Sequence, residues 1–201
     1  MQLYIYMLLT FILTFTILKF LIKYQNKNKI GQFEREEGLV THKKKANTPI
    51  FGGIAFIISF ILTFTIMLLI KELSFLQYLM ITFPMISFGI IGLIDDVLIL
   101  KQQKNDGISP RIKLFLQLVI SVIYFIIYLI LDFNTKINLI FFDIDLKFFY
   151  GIFILLSFSG FTNATNLTDG IDGLLGGVLS IIFIGFFYHL FYFCCSRIIK
   201  C

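Results

Sequence analysis

The sequence predicts an all-α, polytopic membrane protein with about six transmembrane helices and its N-terminus outside. Two observations predict this class. Hydrophobic residues make up 58% of the 201-residue chain and charged residues only 14%, whereas a soluble domain has about 25% charged residues. The apolar residues also gather in runs long enough to cross a bilayer, which needs roughly 20 residues per helix. We expect one membrane domain over residues 1–201.

Six apolar runs carry this prediction. They cover residues 3–22, 50–70, 75–94, 112–131, 148–164 and 174–195. Helices are the expected form, because lipid cannot satisfy open backbone groups. The first run lacks a preceding basic segment and a small-residue cleavage site, so we expect a retained helix rather than a signal peptide. The fifth run is short, and we expect it to extend into the polar stretch that follows.

Basic residues are concentrated in alternate connections between these runs. The loop 23–47 carries seven and the loop 97–113 carries four. Short basic loops stay in the cytoplasm, so the first, third and fifth loops, including 163–173, are expected inside. This topology already explains the positive charge, and no nucleic-acid partner is expected. On the outer side, the partial alternation of 132–147, "DFNTKINLIFFDIDLK", predicts a small β-hairpin.

Four carboxylates lie on the predicted cytoplasmic side: Asp95, Asp96, Asp169 and Asp172. Adjacent carboxylates at a membrane boundary resist being charged unless a cation lies nearby, and Mg²⁺ commonly binds one or two carboxylates together with substrate phosphates. An acidic helix end is the alternative for Asp95 and Asp96, and an N-terminal helix cap is the alternative for Asp169. Asp169 and Asp172 would share a face at a helix start. Together the four favour a metal-bridged polyanionic substrate.

A lysine triplet, 43–45, precedes the second apolar run. It could anchor that helix at anionic lipid, or bind phosphate as a set of point charges. Both uses are compatible, and the charge alone does not separate them.

Three motifs carry a resemblance to a known family: "KKKANTPIFGG", "GLIDD" and "NATNLTDGIDGL". Over residues 1–190 the chain resembles the polyprenyl-phosphate N-acetylhexosamine-1-phosphate transferases, glycosyltransferase family 4, and within them the muramoyl branch. The resemblance implies a Mg²⁺-dependent enzyme at the cytoplasmic face of the bacterial inner membrane. It would transfer phospho-N-acetylmuramoyl-pentapeptide from the UDP-linked precursor to undecaprenyl phosphate, giving lipid I and UMP for wall synthesis.

The resemblance also implies roles for individual residues. Catalytic and metal-binding roles fall to Asp95, Asp96 and Asp169. Substrate-binding roles fall to Lys43, Lys45, Thr48, Asn163, Asn166 and Asp172. Within these sets, the acidic pair would act as base or nucleophile, the basic motif would hold the diphosphate, and the asparagine-rich motif would contact the nucleoside and the metal-bound diphosphate. The implied partners are the two substrates and the bilayer, with a homodimer as an option for assembly.

The chain departs from the family pattern in two ways. Ile99 stands where the family commonly has a lysine, and the next basic residue is Lys101. A later acidic motif and a triple-histidine motif are also not found, so we expect a C-terminally truncated chain whose missing part would hold a further metal-binding Asp. Two other interpretations stay open: a sibling transferase using UDP-N-acetylglucosamine, and an inactive remnant or partner-dependent membrane fragment.

Overall fold

The computed structural model describes residues 2–28, 30, 50–102, 107–138, 143–169 and 173–198. The helices in those ranges are α1 (Gln2–Asn28), α2 (Gly52–Leu69), α3 (Phe75–Gln102), α4 (Pro110–Ile130), α5 (Tyr150–Thr168) and α6 (Leu174–Ile198). Each overlaps one of the six predicted apolar runs. The helices α1 to α4 are long and apolar enough to cross a membrane. The prediction of an all-α, multi-pass membrane protein is confirmed.

The first four helices pack in chain order, α1 on α2, α2 on α3 and α3 on α4. Neighbours run antiparallel, because contacts pair early residues of one helix with late residues of the next. Thr10 meets Thr63, whereas Gln25 meets Ile50. One end of this packed group therefore gathers the last turns of α1 and α3 and the first turns of α2 and α4. The predicted site residues Asp95 and Asp96 lie at that end.

Hydroxyl groups join α1 to α2 inside the apolar part of the chain. The Thr10 hydroxyl donates to Thr63 Oγ1 at 2.9 Å, and the hydroxyls of Thr14 and Ser59 share a hydrogen bond of 2.5 Å. Ser59 and Thr63 are buried. Lipid offers no partner for a hydroxyl, so small polar residues commonly join neighbouring transmembrane helices in this way. We call these four residues the hydroxyl seam.

A short antiparallel hairpin lies at the opposite end of α4. Strand β1 (Lys136–Asn138) pairs with β2 (Asp143–Asp145), with Ile137 opposite Ile144. The Tyr128 hydroxyl, in the last turn of α4, donates to the carbonyl oxygen of Asn134 just before β1. A 3₁₀ turn, Lys147–Phe149, then leads into α5. The hairpin predicted from the alternation in 132–147 is confirmed.

The chain divides into two compact units, Met1–Ile154 and Leu155–Cys201, and each is described by itself. The second unit holds most of α5 and all of α6. Its first helix continues through Thr168. The expectation that the fifth apolar run extends into the polar stretch is confirmed, and residues 163–168, counted with the loop 163–173, are helical. The expectation of one membrane domain over 1–201 stays a prediction.

Candidate active site

The acidic pair belongs to the last two turns of α3, which continues past it to Gln102. The sequence analysis expected Asp95 and Asp96 at the end of this helix, and the structure extends the helix beyond them. Successive residues on an α-helix are about 100° apart around its axis. The two adjacent carboxylates therefore face different neighbours.

Asp95 faces the start of α4. Its Oδ1 accepts a hydrogen bond from the backbone N–H of Ile108 at 2.7 Å, and its Oδ2 pairs with Lys113 Nζ at 2.7 Å. The side chains of Lys113 and Asp95 are only 17% and 18% exposed. Charge-assisted bonds of this length are the stronger class of protein hydrogen bond. Both oxygens of Asp95 are thus bound by residues that follow α3 in the chain, Ile108 just before α4 and Lys113 in its first turn.

Gly107 makes this arrangement possible by lacking a side chain. A Cβ atom built there would overlap Asp95 Oδ1 and lie 2.8 Å from Asp95 Cγ. The backbone at Gly107 and Ile108 can wrap closely around the carboxylate only because that space is free. A glycine at a point of close backbone approach is a common use of this residue.

Asp96 faces the start of α2. The Phe51 backbone and the positive charge of Lys113 are close enough to act electrostatically on its carboxylate. Phe51 has φ of 66°, a left-handed conformation that is uncommon for a bulky residue. The Ile50 backbone just before it is held by the side chain of Gln25 from α1. Residues of all four helices or their flanking segments therefore surround the acidic pair.

The asparagine-rich motif lies in the second unit. Asn163 and Asn166 sit one turn apart near the end of α5, and Asp169 follows directly after this helix. Residues three apart are neighbours on a helix surface, so Asn166 lies beside Asn163. Asn166 and Asp169 are exposed. Because Asp169 ends α5 and α6 begins only at Leu174, the prediction that Asp169 caps or opens the next helix is wrong.

Four predicted site residues lie outside the described residues: Lys43, Lys45, Thr48 and Asp172. Their roles stay predictions. Three residues at the site were not assigned to it from the sequence: Gln25, Gly107 and Lys113. Lys113 had been counted only among the basic residues of its loop. Its place one turn after Ser109-Pro110, a typical helix start, is the signal that could have set it apart from the loop lysines.

The donor chemistry of the acidic pair fits a divalent cation. Two carboxylates suffice for Mg²⁺ in sites where substrate phosphates and water complete the shell. The part of the chain that the structure describes contains no cluster of three or more His, Cys, Asp or Glu side chains suited to a metal. The acidic pair could supply two ligands of a metal whose shell is completed by substrate phosphates and water.

Comparison with known proteins assigns the family. The model of the family described as "Glycosyl transferase family 4" matches residues 78–199, more than half of the chain. The chain belongs to glycosyl transferase family 4. Its matched region contains the acidic pair, Gly107, Lys113 and the asparagine-rich motif. The family resemblance stated from the three motifs is confirmed.

Individual members of this family give a more specific comparison than the family model. Proteins named phospho-N-acetylmuramoyl-pentapeptide-transferase from Staphylococcus epidermidis and Staphylococcus aureus are each 38% identical to it over 168 residues. That alignment covers 81% of this chain and 52% of each relative. This chain thus spans about half the length of the curated relatives it matches.

Proposed function

We propose that this chain takes part in transferring phospho-N-acetylmuramoyl-pentapeptide from its UDP-linked precursor to undecaprenyl phosphate, giving lipid I and UMP. The observation that carries the proposal is the acidic pair, held at one end of the helices α1–α4 with Lys113 beside it. The identity to the staphylococcal relatives supports the choice of substrates. The proposed location is the bacterial inner membrane, with the acidic pair at its cytoplasmic face.

The reaction is a single phosphoryl exchange. A phosphate oxygen of the lipid attacks the sugar-bearing phosphorus of the precursor, and a new P–O bond forms. The bond from that phosphorus to the bridging oxygen breaks, and the bridging oxygen leaves with its electron pair on UMP. Such transfers depend mainly on positioning and charge stabilisation rather than on covalent help from the protein.

The two carboxylates have different contacts, which suggests different roles. Both oxygens of Asp95 are engaged, by Ile108 and Lys113, so we assign Asp95 to holding Lys113 in place. Lys113 would then offer its remaining N–H groups to the diphosphate. Asp96, to which we assign no role in holding Lys113, would accept the proton of a lipid phosphate that arrives singly protonated.

Mg²⁺ is the proposed cofactor, with Asp96 as its first ligand and Asp95 and Asp169 as further ligands assigned from the family resemblance. Asp95 could serve both roles, because each of its oxygens has a second lone pair beside the one bound by Ile108 or Lys113. A bound divalent cation would reduce the negative charge of the diphosphate and of the departing UMP. Asn163, Asn166 and Asp172 are proposed to contact the nucleoside side of the substrate. Lys43, Lys45 and Thr48 are proposed to contact its diphosphate.

The test is UMP release by membranes containing this chain, supplied with UDP-N-acetylmuramoyl-pentapeptide, undecaprenyl phosphate and Mg²⁺. We expect release that disappears on chelation of Mg²⁺ and in Asp96→Asn and Asp169→Asn variants inserted at wild-type levels. UDP-N-acetylglucosamine run in parallel would favour a sibling transferase if it were the better substrate. A correctly inserted wild-type chain that releases no UMP from either nucleotide would overturn the proposal.

A further inference from the structure

Three lysines follow one another at intervals of one turn near the end of α1: Lys19, Lys23 and Lys27. Residues four apart share a face of a helix, and all three of these side chains are exposed. Among the described residues, none of the three is paired with a carboxylate. Like charges one turn apart repel each other, so an anion bound between them would stabilise this face. We call the three residues the lysine ladder.

The lysine ladder lies on the side of α1 that faces away from α2. Thr10 and Thr14 face α2, because their hydroxyls form the α1 half of the hydroxyl seam. Successive residues of an α-helix are about 100° apart around its axis. Lys19 and Lys23 therefore lie about 140° and 180° around α1 from Thr14. On a helix that is long and apolar enough to cross a membrane, this is the side open to lipid.

The same side of α1 is apolar closer to the N-terminus. Leu8, Ile12 and Phe15 lie there, and they are 59%, 52% and 61% exposed. The face thus changes from apolar to cationic between Phe15 and Lys19. A phospholipid has the same order of chemistry, with acyl chains below a phosphate. Bare phosphate would use the lysines alone, whereas an anionic phospholipid would use the whole face.

The lysine ladder lies about as deep as the acidic pair. The bond between Thr14 and Ser59 places these two residues level with each other. The Ile57 side chain lies against Gly89 and likewise relates α2 to α3. The middle lysine is nine residues beyond Thr14, and two residues from Ser59 to Ile57 followed by seven from Gly89 lead to the second carboxylate of the acidic pair. All three helices rise about 1.5 Å per residue, so the two charged groups lie at about the same level.

We propose that the lysine ladder binds the phosphate headgroup of an anionic phospholipid from the surrounding leaflet, whose acyl chains lie along the apolar part of the same face. Lysine side chains suit this role, because their apolar stems pack on hydrocarbon while the ammonium groups extend toward the headgroups. Basic residues at a membrane surface attract anionic lipids. This surface is separate from the acidic pair and does not rest on the proposed function.

A single tryptophan can report which lipid contacts the ladder. The chain contains no Trp, and Phe20, next to Lys19, is 70% exposed. The full chain carrying Phe20→Trp would be placed in bilayers of equal phosphatidylglycerol and phosphatidylcholine, with bromine on the acyl chains of one lipid or the other to quench the fluorophore. We expect phosphatidylglycerol to be preferred about fivefold, the effect of one basic residue near an anionic surface. The preference should fall in about 1 M salt, where the Debye length is about 3 Å.

A second reporter shows whether the preference is local. Phe161 is 74% exposed on α5, and the helix α5 contains no Lys or Arg. The chain carrying Phe161→Trp should be quenched equally by the two brominated lipids.

Two sets of variants assign the preference to the ladder. Replacing its three lysines by Gln should bring the preference at the Phe20→Trp reporter close to one, and replacing them by Arg should keep it. The matched control removes the same charge from exposed lysines at the opposite end of α2 and α4, by Lys71→Gln, Lys136→Gln and Lys147→Gln. It should leave the preference unchanged.

Equal quenching by the two lipids in the Phe20→Trp chain would overturn the proposal. So would a preference that survives the loss of the ladder, or one that falls equally in the matched control, since net charge would then be the cause. Displacement of phosphatidylglycerol by inorganic phosphate, or by one undecaprenyl phosphate per chain, would assign the ladder to that ligand and overturn its assignment to a phospholipid of the leaflet. None of these measurements requires turnover, so a chain that releases no UMP would count against the proposed function alone.

Discussion

The ammonium group of Lys113 lies 2.7 Å from Oδ2 of Asp95 and joins the first turn of α4 to the end of α3. The same charge acts on Asp96. The family commonly has a lysine at the position of Ile99, and the next basic residue in this sequence is Lys101. Among the described residues, the cation that pairs with Asp95 comes instead from the next helix.

Replacing Lys113 by Met should both destabilise the chain and slow turnover. The pair is partly buried, so its loss should cost about 1–2 kcal/mol, between the values for exposed and buried pairs. UMP release should fall about a hundredfold, the usual effect of removing one charge-stabilising donor. Thermal unfolding and UMP release measure the two effects. Lys101→Met is the control, because Lys101 is exposed at the end of α3; equal losses in both variants would contradict the assignment.

Adding one methyl group at Gly107 should displace the Asp95 carboxylate. In Gly107→Ala the new Cβ would overlap Oδ1 and approach Cγ to 2.8 Å. We expect weaker Lys113 pairing, a lower melting temperature and slower UMP release. Gly92→Ala, one turn before Asp95 on α3, meets nothing within 4 Å and should stabilise the helix by about 0.5–1 kcal/mol. A Gly107→Ala chain as stable and active as wild type would show that the Asp95 contacts are dispensable.

The hydroxyl seam should contribute measurably to the packing of α1 on α2. Replacing Thr10 and Thr14 together by Val removes both interhelical bonds at nearly constant volume. The expected loss is about 1.2 kcal/mol, from about 0.6 kcal/mol for each hydrogen bond between transmembrane helices. Unfolding in mixed micelles would measure it. Thr16→Val should have almost no effect, because the exposed Thr16 hydroxyl donates to the Ile12 carbonyl of its own helix.

The hairpin β1–β2 contains a carboxylate with a lowered pKa, Asp145. The Thr135 hydroxyl, 2.6 Å from Asp145 Oδ1, and the backbone N–H of Lys147 hold the pKa of Asp145 below its ordinary 3.8. The folded pKa lies below the unfolded one, so the stabilisation is present above pH 3.8 and is lost as the pH falls through the lowered value. A carboxyl NMR titration should show the Asp145 pKa rising toward 3.8 in Thr135→Val. The same value in wild type and variant would contradict this cause.

Local sequence patterns predicted most of the fold because membrane insertion depends on the hydropathy of each segment by itself. The alternation of 132–147 likewise predicted the hairpin. The extension of α5 into the polar stretch was expected from the short fifth apolar run, although Asn and Thr are poor helix formers. Their side chains bond back to carbonyls one turn earlier, as Asn163 does to Ser159 and Thr165 to Phe161. This satisfies the polar groups within the helix.

The candidate site was predicted less completely than the fold. From the sequence, its residues could be recognised only by the chemistry of their side chains. Aspartates at a membrane boundary are conspicuous, and the pair was found. Gln25 and Gly107 give no local signal, because their roles depend on contacts with Ile50 and Asp95, which are distant in the chain. Only folding brings these residues together.

The length of α3 relates its carboxylates to the thickness of a bilayer. The helix begins at Phe75, and about 20 residues of helix cover the roughly 30 Å hydrocarbon layer. If the layer begins at Phe75, it ends near Asp95, and the residues through Gln102 would rise about another 10 Å through the headgroups. A phosphate on a membrane-embedded lipid lies at the same level. Such a lipid can reach the carboxylates by sideways diffusion within its own leaflet, while a water-soluble molecule has to come down from above.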